Sequence, residues 1–236
     1  MAICKLFEMQ SQYKLCQFVV IHSKHMLIYL MTQQYDNIAL VLNGEFPSSS
    51  MIIKKIKSSD FIIAVDGAAN ELKKFHIQPN VIIGDFDSII DLNDKSICYI
   101  NTPDQSKTDF KKSLEWTIKQ KFSQVNIFGL SGKSDDHFLG NIYTFNEFSH
   151  LINLQAFTDT SIITPCIGKN NFDSFKNQKV SLFSLENSSF ITSKNLEYEL
   201  DSFELHPSDN ATRNVSKGDT FTIESSSKVL VFQIIN

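Results

Sequence analysis

Two aspartates separated by one residue, Asp85 and Asp87, directly follow the apolar run Val81–Ile83 and Gly84. In an extended stretch, residues i and i+2 point the same way, so both carboxylates can face one cation. Mg2+ is a hard ion that is commonly held by one or two carboxylates together with substrate phosphates. Asp109, at the start of a predicted helix, is the candidate third acid. The same residues also suit a turn followed by helix N-terminal acids, because Asp favours both places. Lys112 lies three residues after Asp109 on the same helix face, either as a cation for phosphate chemistry or as a local ion-pair partner.

A second polar cluster, Gly129-Leu-Ser-Gly-Lys-Ser134, invites a P-loop reading. That pattern needs a glycine where Ile127 stands, inside an apolar run. What remains is a glycine-rich loop whose backbone N–H groups can cradle phosphate. Asp136-His137 follows at the opening of the next helix, where a cap with a neighbouring surface histidine is the simpler reading.

These residues share a setting. Ile38–Leu42, Phe61–Val65, Val81–Ile83, Ile97–Ile100 and Val125–Phe128 are short runs, apolar throughout but for Asn126. Each ends in a polar cluster rich in Gly, Asp or Asn. Runs of this kind suit strands buried on both faces of a parallel sheet. Helices are predicted at 48–57, 68–75, 108–121 and 136–151. Alternating strand and helix implies an α/β fold with a mostly parallel sheet and flanking helices. In such sheets ligands bind beyond the carboxyl ends of the strands, where the five polar clusters fall. After residue 160 the segments 161–164, 179–185, 189–192, 203–205, 220–224 and 229–234 are short and β-rich. They predict a smaller all-β sandwich domain. The expected division is residues 1–30 as an extension outside the core fold, 31–160 as the α/β catalytic half and 161–236 as the β half.

The chain has 236 residues, 22 basic and 26 acidic, for a formal net charge of −4. Nucleic-acid binding is not expected without a basic footprint. Only one basic residue is arginine, Arg213, so phosphate chemistry must lean on lysine, metal or backbone N–H groups. Cys4, Cys16, Cys98 and Cys166 are far apart, which argues against a zinc or disulfide framework and for a reducing, cytoplasmic setting. The apolar runs before residue 31 are split by His22-Ser-Lys-His25, so no stretch reaches the ~20 residues that a membrane helix needs.

Taken in order, Asp66-Gly-Ala-Ala-Asn70, Gly84-Asp85-Phe86-Asp87-Ser88, Asp104-Gln105-x-x-Thr108-Asp109-x-x-Lys112-x-Leu114 and Gly132-x-x-x-Asp136-His137-x-Leu139-x-Asn141-Ile142 resemble the thiamine pyrophosphokinase family. The resemblance implies transfer of pyrophosphate from ATP to thiamine, with Mg2+, at the interface of a homodimer. It implies that Asp85, Asp87 and Asp109 bind the metal and that these three act with Lys112 in catalysis. Asp66, Asn70, Gln105, Thr108, Gly132, Lys133, Asp136 and His137 would contact ATP. In the β half, Asn195-Leu-Glu-Tyr-Glu-Leu200 and Thr212-Arg213-Asn214 resemble the family's thiamine-binding elements, pointing to Tyr198, Thr212 and Asn214. The sequence departs from the family at Ser134, where an arginine is usual, at Arg213, where serine is usual, and at Asn195, which replaces a glycine. Two other readings fit the same acids: a metal-dependent nucleotide phosphohydrolase, and a binding module without catalysis.

Overall fold

A computed structural model describes residues 19–20, 35–90, 94, 96–209 and 211–235. The expected extension 1–30 therefore lies outside the described residues, apart from β1 (Val19–Val20). The α/β half contains β2 (Ile38–Val41), α1 (Ser50–Lys57), β3 (Phe61–Val65), α2 (Ala68–Lys74), β4 (Val81–Gly84), β5 (Cys98–Asn101), α3 (Asp109–Lys119), β6 (Gln124–Phe128), α4 (Asp135–Phe148) and β7 (Asn153–Phe157). The β half follows as β8 (Ser161–Asp173), β9 (Lys179–Phe183), β10 (Ser189–Lys194), β11 (Phe203–Leu205), β12 (Ala211–Val215) and β13 (Thr220–Ile234).

Strands β2 to β7 form a parallel ladder in the order β5-β4-β3-β2-β6-β7, with β1 antiparallel on the outer edge of β5. Their apolar runs are explained by two cores. Ile38, Leu40, Phe61, Ile63, Val81 and Ile83 pack on one face against Phe110 and Leu114 of α3 and Ile142 and Phe145 of α4. The alternate residues Ala39, Val41, Ile62, Ala64 and Ile82 pack on the other face against Ile52 and Ile56 of α1 and Ala68, Ala69 and Leu72 of α2. With both faces covered, a polar residue inside a strand needs a partner: Asn126 of β6 is buried and donates to Asn37 Oδ1 at 2.9 Å.

The chain builds outward from β2 to β5 and then returns to place β6 on the other side of β2. The connections diverge at this point, α1 packing on one face of the sheet and α4 on the other, so the carboxyl ends of β2 and β6 form the switch point at which open α/β sheets bind ligands.

The β half continues the same sheet. β8 pairs antiparallel with β7 and, along its length, with β13. The register shifts between Ser225 and Val229, and this bulge divides β13 into two arms. Residues 230–233 pair with β9, whereas 222–225 pair with β10. A long strand that changes partner at a bulge is a standard way to turn one sheet into two packed layers. Between them lies a third core of Phe172, Val180, Leu182, Ile191, Leu205, Phe221, Ile223 and Val231. The α/β architecture and β-rich second half match the expectation. Three strands were not foreseen: β1, which pairs with β5, and β7 and β12. β7 reads NLQAF, and its Gln155 is turned to Thr164 Oγ1 of β8 at 2.9 Å, which dilutes the apolar pattern.

Candidate active site

The acids are assembled where β3 and β4 end. Asp66 follows β3 with a left-handed backbone, φ 46°, and its N–H continues the ladder to Ile83 O at 2.8 Å. Gly84 sits opposite. A Cβ there would stand 3.0 Å from Asp66 Cβ and 3.2 Å from its Cα, so the missing side chain lets the two strand ends close. Phe86 is also left-handed, φ 71°, and its ring is buried edge-on to Tyr99 with centroids 6.0 Å apart. With Phe86 anchored in the core, Asp85 and Asp87 project outward on either side of it. Asp66, Asp85 and Asp87 each offer a carboxylate oxygen, all within 4.8 Å of one another.

Neighbours fix this cluster. Gln105 Nε2 donates to Asp85 Oδ2 at 3.0 Å, and Ser88 Oγ donates to Asp87 Oδ1 at 2.9 Å. Asn70, on α2, donates to Ser88 O at 2.7 Å and accepts from Ile90 N–H at 3.1 Å, stapling the acid loop to the helix. Thr108 caps α3, its hydroxyl accepting from Lys111 N–H at 3.2 Å, and so places Asp109 in the first turn. Lys112 is buried. Its ammonium donates to Thr102 O at 2.8 Å and Asp104 O at 3.1 Å, and Asp109 Oδ1 faces it at 2.6 Å.

The electrostatics differ from acid to acid. Asp66 is 6% exposed and its Oδ1 is buried without a hydrogen bond. Burial pushes its carboxyl above the ordinary range. Bonds involving Ser88 and the Gly67 N–H pull it down in part, while the charges of Asp109 and Asp87 push it further up. The Gln105 amide holds Asp85 below the ordinary range. The donor set is hard oxygen, and the buried Asp66 oxygen is unsatisfied, so these residues fit a hard divalent cation.

The switch crevice lies beside the acids. Leu42 N–H donates to Phe128 O and Glu45 N–H to Ser131 O, both at 2.8 Å, so the two loops run on in contact past the strands. Only a residue without a side chain fits at Gly44, where a Cβ would come within 2.1 Å of Gly129 O. Gly129 and Gly132 are left-handed, and so is Lys133, φ 62°, whose Nζ donates to Asn43 Oδ1 at 2.7 Å. Asp136 and His137 are exposed at the start of α4. The Ser134 hydroxyl and His137 N–H hold the Asp136 carboxyl below the ordinary range.

Tyr198 and Asn214 are joined in the β half. Tyr198 N–H donates to Asn214 Oδ1 at 3.1 Å, and Asn214 Nδ2 donates back to Tyr198 O at 2.7 Å. Tyr198 is 68% exposed. Thr212 lies beside Arg213, which has a left-handed backbone, φ 61°, in the irregular stretch of β12. Among the described residues, no hydrogen bond or ion pair joins Tyr198, Thr212 or Asn214 to the acids.

The structure thus brings together Asp66, Asp85, Asp87, Asn70 and Gln105, with Thr108, Asp109 and Lys112 adjoining. It also groups Lys133 and Gly132 with Asn43 and Gly44, which sequence reasoning noted only as a strand end. Asp66 was expected among ATP contacts and stands in the acid cluster itself. An aspartate directly after a fully buried strand was the available signal.

A doubly wound α/β half with carboxylates at its strand ends, continued by a β sandwich, defines a two-part protein built around one sheet edge. The chain belongs to the thiamin pyrophosphokinase family. Residues 52–156 match the family model "Thiamin pyrophosphokinase, catalytic domain", and residues 161–232 match "Thiamin pyrophosphokinase, substrate-binding domain". It is 32% identical over 128 residues to Thiamin pyrophosphokinase 1 of Caenorhabditis elegans, an alignment covering 49% of this chain and 50% of the relative. It is 33% identical over 86 residues to Thiamine pyrophosphokinase of Bacillus subtilis, covering 34% of this chain and 40% of that one. The chain thus spans half or less of the curated relatives it matches. The fold is shared with the crystal structure of thiamine pyrophosphokinase from Bacillus subtilis, with a TM-score of 0.74 at 18% identity, covering 84% of this chain and 98% of that chain. It is shared also with the enzyme from Candida albicans, TM-score 0.73 at 16% identity, covering 85% and 90%.

Proposed function

We propose that this protein transfers the pyrophosphate group of ATP to thiamine, giving thiamine diphosphate and AMP, as a Mg2+-dependent homodimer of the cytoplasm. The observation that carries the reading is the cluster of Asp66, Asp85 and Asp87 at the strand ends, with a buried, unsatisfied Asp66 oxygen, in a chain that matches both family models.

In this reaction the thiamine hydroxyl oxygen bonds to the β-phosphorus of ATP, the bond from that phosphorus to the α,β-bridging oxygen breaks, and AMP leaves with the electron pair. The hydroxyl proton is lost. The attacked centre is ringed by anionic oxygens, so catalysis depends on charge neutralisation and in-line positioning. Bound Mg2+ supplies that neutralisation. Asp85, Asp87 and Asp66 would hold it, with Asp109 adjoining. Gln105 fixes the orientation of Asp85, and Asn70 holds the loop that carries both outward acids. The nucleotide would lie across the switch crevice, with the Gly129–Gly132 backbone and the Lys133 ammonium toward its phosphates. Asp136 and His137 stand at the rim.

The thiamine-binding segment would lie on the β half, where Tyr198 and Asn214 are joined. An exposed Tyr198 face could stack on a cationic thiazolium, and in a homodimer the acids it serves would be those of the second copy. Cys98 and Cys166 are free and buried. Among the described residues no helix is long and apolar enough to cross a membrane.

Incubation with ATP, Mg2+ and thiamine should yield AMP and thiamine diphosphate in equal amounts. Asp87→Ala should abolish both while leaving the melting transition intact. Full activity of that variant would overturn the metal assignment. AMP or phosphate release independent of thiamine would replace the reading with a phosphohydrolase, and binding without turnover would replace it with a non-catalytic module.

A further inference from the structure

We propose that Lys112 is a positioning residue, which assembles the acid cluster from behind and does not touch the transferred phosphates. The proposal rests on the pyrophosphokinase reading above. Lys112 is 6% exposed. Its ammonium donates to Thr102 O at 2.8 Å and Asp104 O at 3.1 Å, and Asp109 Oδ1 faces it as an ion-pair partner at 2.6 Å. Buried among these three oxygens, the ammonium is directed at the chain's own carbonyls and carboxylate and not at solvent.

Each of the three oxygens leads to the site. Thr102 follows β5, and its N–H is tied at 2.9 Å to the carbonyl of Gly84, the last residue of β4 and the one before Asp85. Asp104 precedes Gln105, whose amide holds Asp85 at 3.0 Å. Asp109 is close enough to Asp66 for its charge to be felt there. One buried cation therefore ties the end of β5, the loop that orients Asp85 and the first turn of α3. A buried charge is costly unless it is paired and hydrogen-bonded, and here the pairing is done by the backbone that must be held.

A positioning lysine and a charge-donating lysine predict opposite signs for cation binding. Removing a cation near carboxylates strengthens binding of a second cation by Coulomb's law. Removing a strut that orients the ligands weakens it, typically about tenfold or more. The test uses the full chain without nucleotide and Mn2+ as the probe, with bound ion read by its electron-spin resonance signal. Lys112→Met removes the charge. Lys112→Arg keeps the charge, but its planar fork cannot reproduce three contacts around a single nitrogen. Both variants are expected to bind Mn2+ about tenfold or more weakly. Their kcat with ATP and thiamine should fall and recover as Mg2+ is raised, with KM for ATP at saturating Mg2+ unchanged. Equal or tighter Mn2+ binding by Lys112→Met, with a raised KM for ATP, would overturn the proposal. If that variant does not fold, Lys112→Arg decides alone, and wild-type Mn2+ affinity in it overturns the proposal. Wild-type protein that makes no thiamine diphosphate, yet shows the same Lys112 dependence of Mn2+ binding, would refute the reaction and leave the strut standing.

Discussion

Asp66→Asn should stabilise the metal-free protein and weaken its response to metal. The Asp66 carboxylate is 6% exposed, one of its oxygens has no hydrogen bond, and it offers an oxygen within 4.8 Å of both Asp85 and Asp87. At an effective dielectric of about 20, two unit charges 4.8 Å apart repel by about 3.5 kcal/mol. Asp85 is half-buried and Asp87 exposed, so solvent screens much of this and about 1–2 kcal/mol remains. Asparagine keeps the shape and removes the charge. At about 2–4 °C per kcal/mol for a chain of this size, the metal-free melting temperature should rise by about 2–8 °C. The gain has a pH signature. Burial holds the Asp66 carboxyl above its ordinary value in the folded protein, so its ionisation costs stability as pH rises through that raised pKa. The advantage of asparagine should therefore vanish in acid, where Asp66 is protonated in both states. Magnesium should reverse the order. A ligand at a hundred times its Kd adds about 2.7 kcal/mol to the protein that binds it, and the variant has lost a ligand. Calorimetric melts with a chelator and with Mg2+ would check both signs. A variant that melts lower than wild type without metal, or that gains as much from Mg2+, would refute the reasoning.

Two further outcomes follow from the packing. Gly44→Ala puts a methyl group 2.1 Å from Gly129 O and 2.5 Å from Ser131 O. The two loops must part at a cost of about 1–3 kcal/mol, read as a lower melting temperature together with a higher KM for ATP. Burial pushes the Cys166 thiol up to about 11 from 9.0, so the unfolded chain loses this proton first. Stability should fall as pH rises from 9 toward 11, by up to about 2.7 kcal/mol. Cys166→Val should flatten that slope in denaturant titrations, and an unchanged slope would count against the assignment.

Much of the α/β half was legible because burial on both faces leaves a strand few polar positions. Ile38–Val41, Phe61–Val65 and Val81–Gly84 lie within one residue of their apolar runs. The β half was harder to read. The expected strands 220–224 and 229–234 are one strand, Thr220–Ile234, whose middle is Ser-Ser-Ser-Lys at the bulge. No local pattern distinguishes a bulge of that kind from a turn. β12 was missed for a related reason, since ATRNV has half its side chains toward solvent and only one strand neighbour. In the site, the aspartate pair could be found from spacing alone. That Asp66 joins it depends on Gly84, and that Lys112 is enclosed depends on where two carbonyls point. Both are facts of backbone path, which residue types do not encode.

The same dependence on backbone path bears on the family's missing arginine. Ser134 stands at its usual place, but there the backbone is extended, φ −146° and ψ 147°, at the cap of α4, and the hydroxyl serves Asp136. The residue before it is left-handed, a conformation that a non-glycine residue adopts only at a cost. That turn carries the Lys133 side chain to the end of β2, where its ammonium rests on Asn43 Oδ1. Asn43 in turn lies against Gly67, where a Cβ would meet its amide at 2.7 Å, so it touches the loop that follows Asp66. In the proposed reaction the positive charge is thus delivered from one position earlier, over the switch crevice. The exchange changes the chemistry of the grip: a guanidinium holds phosphate by a two-pronged fork, whereas an ammonium offers a compact charge that must be placed by something else. Asn43 is the residue that does the placing.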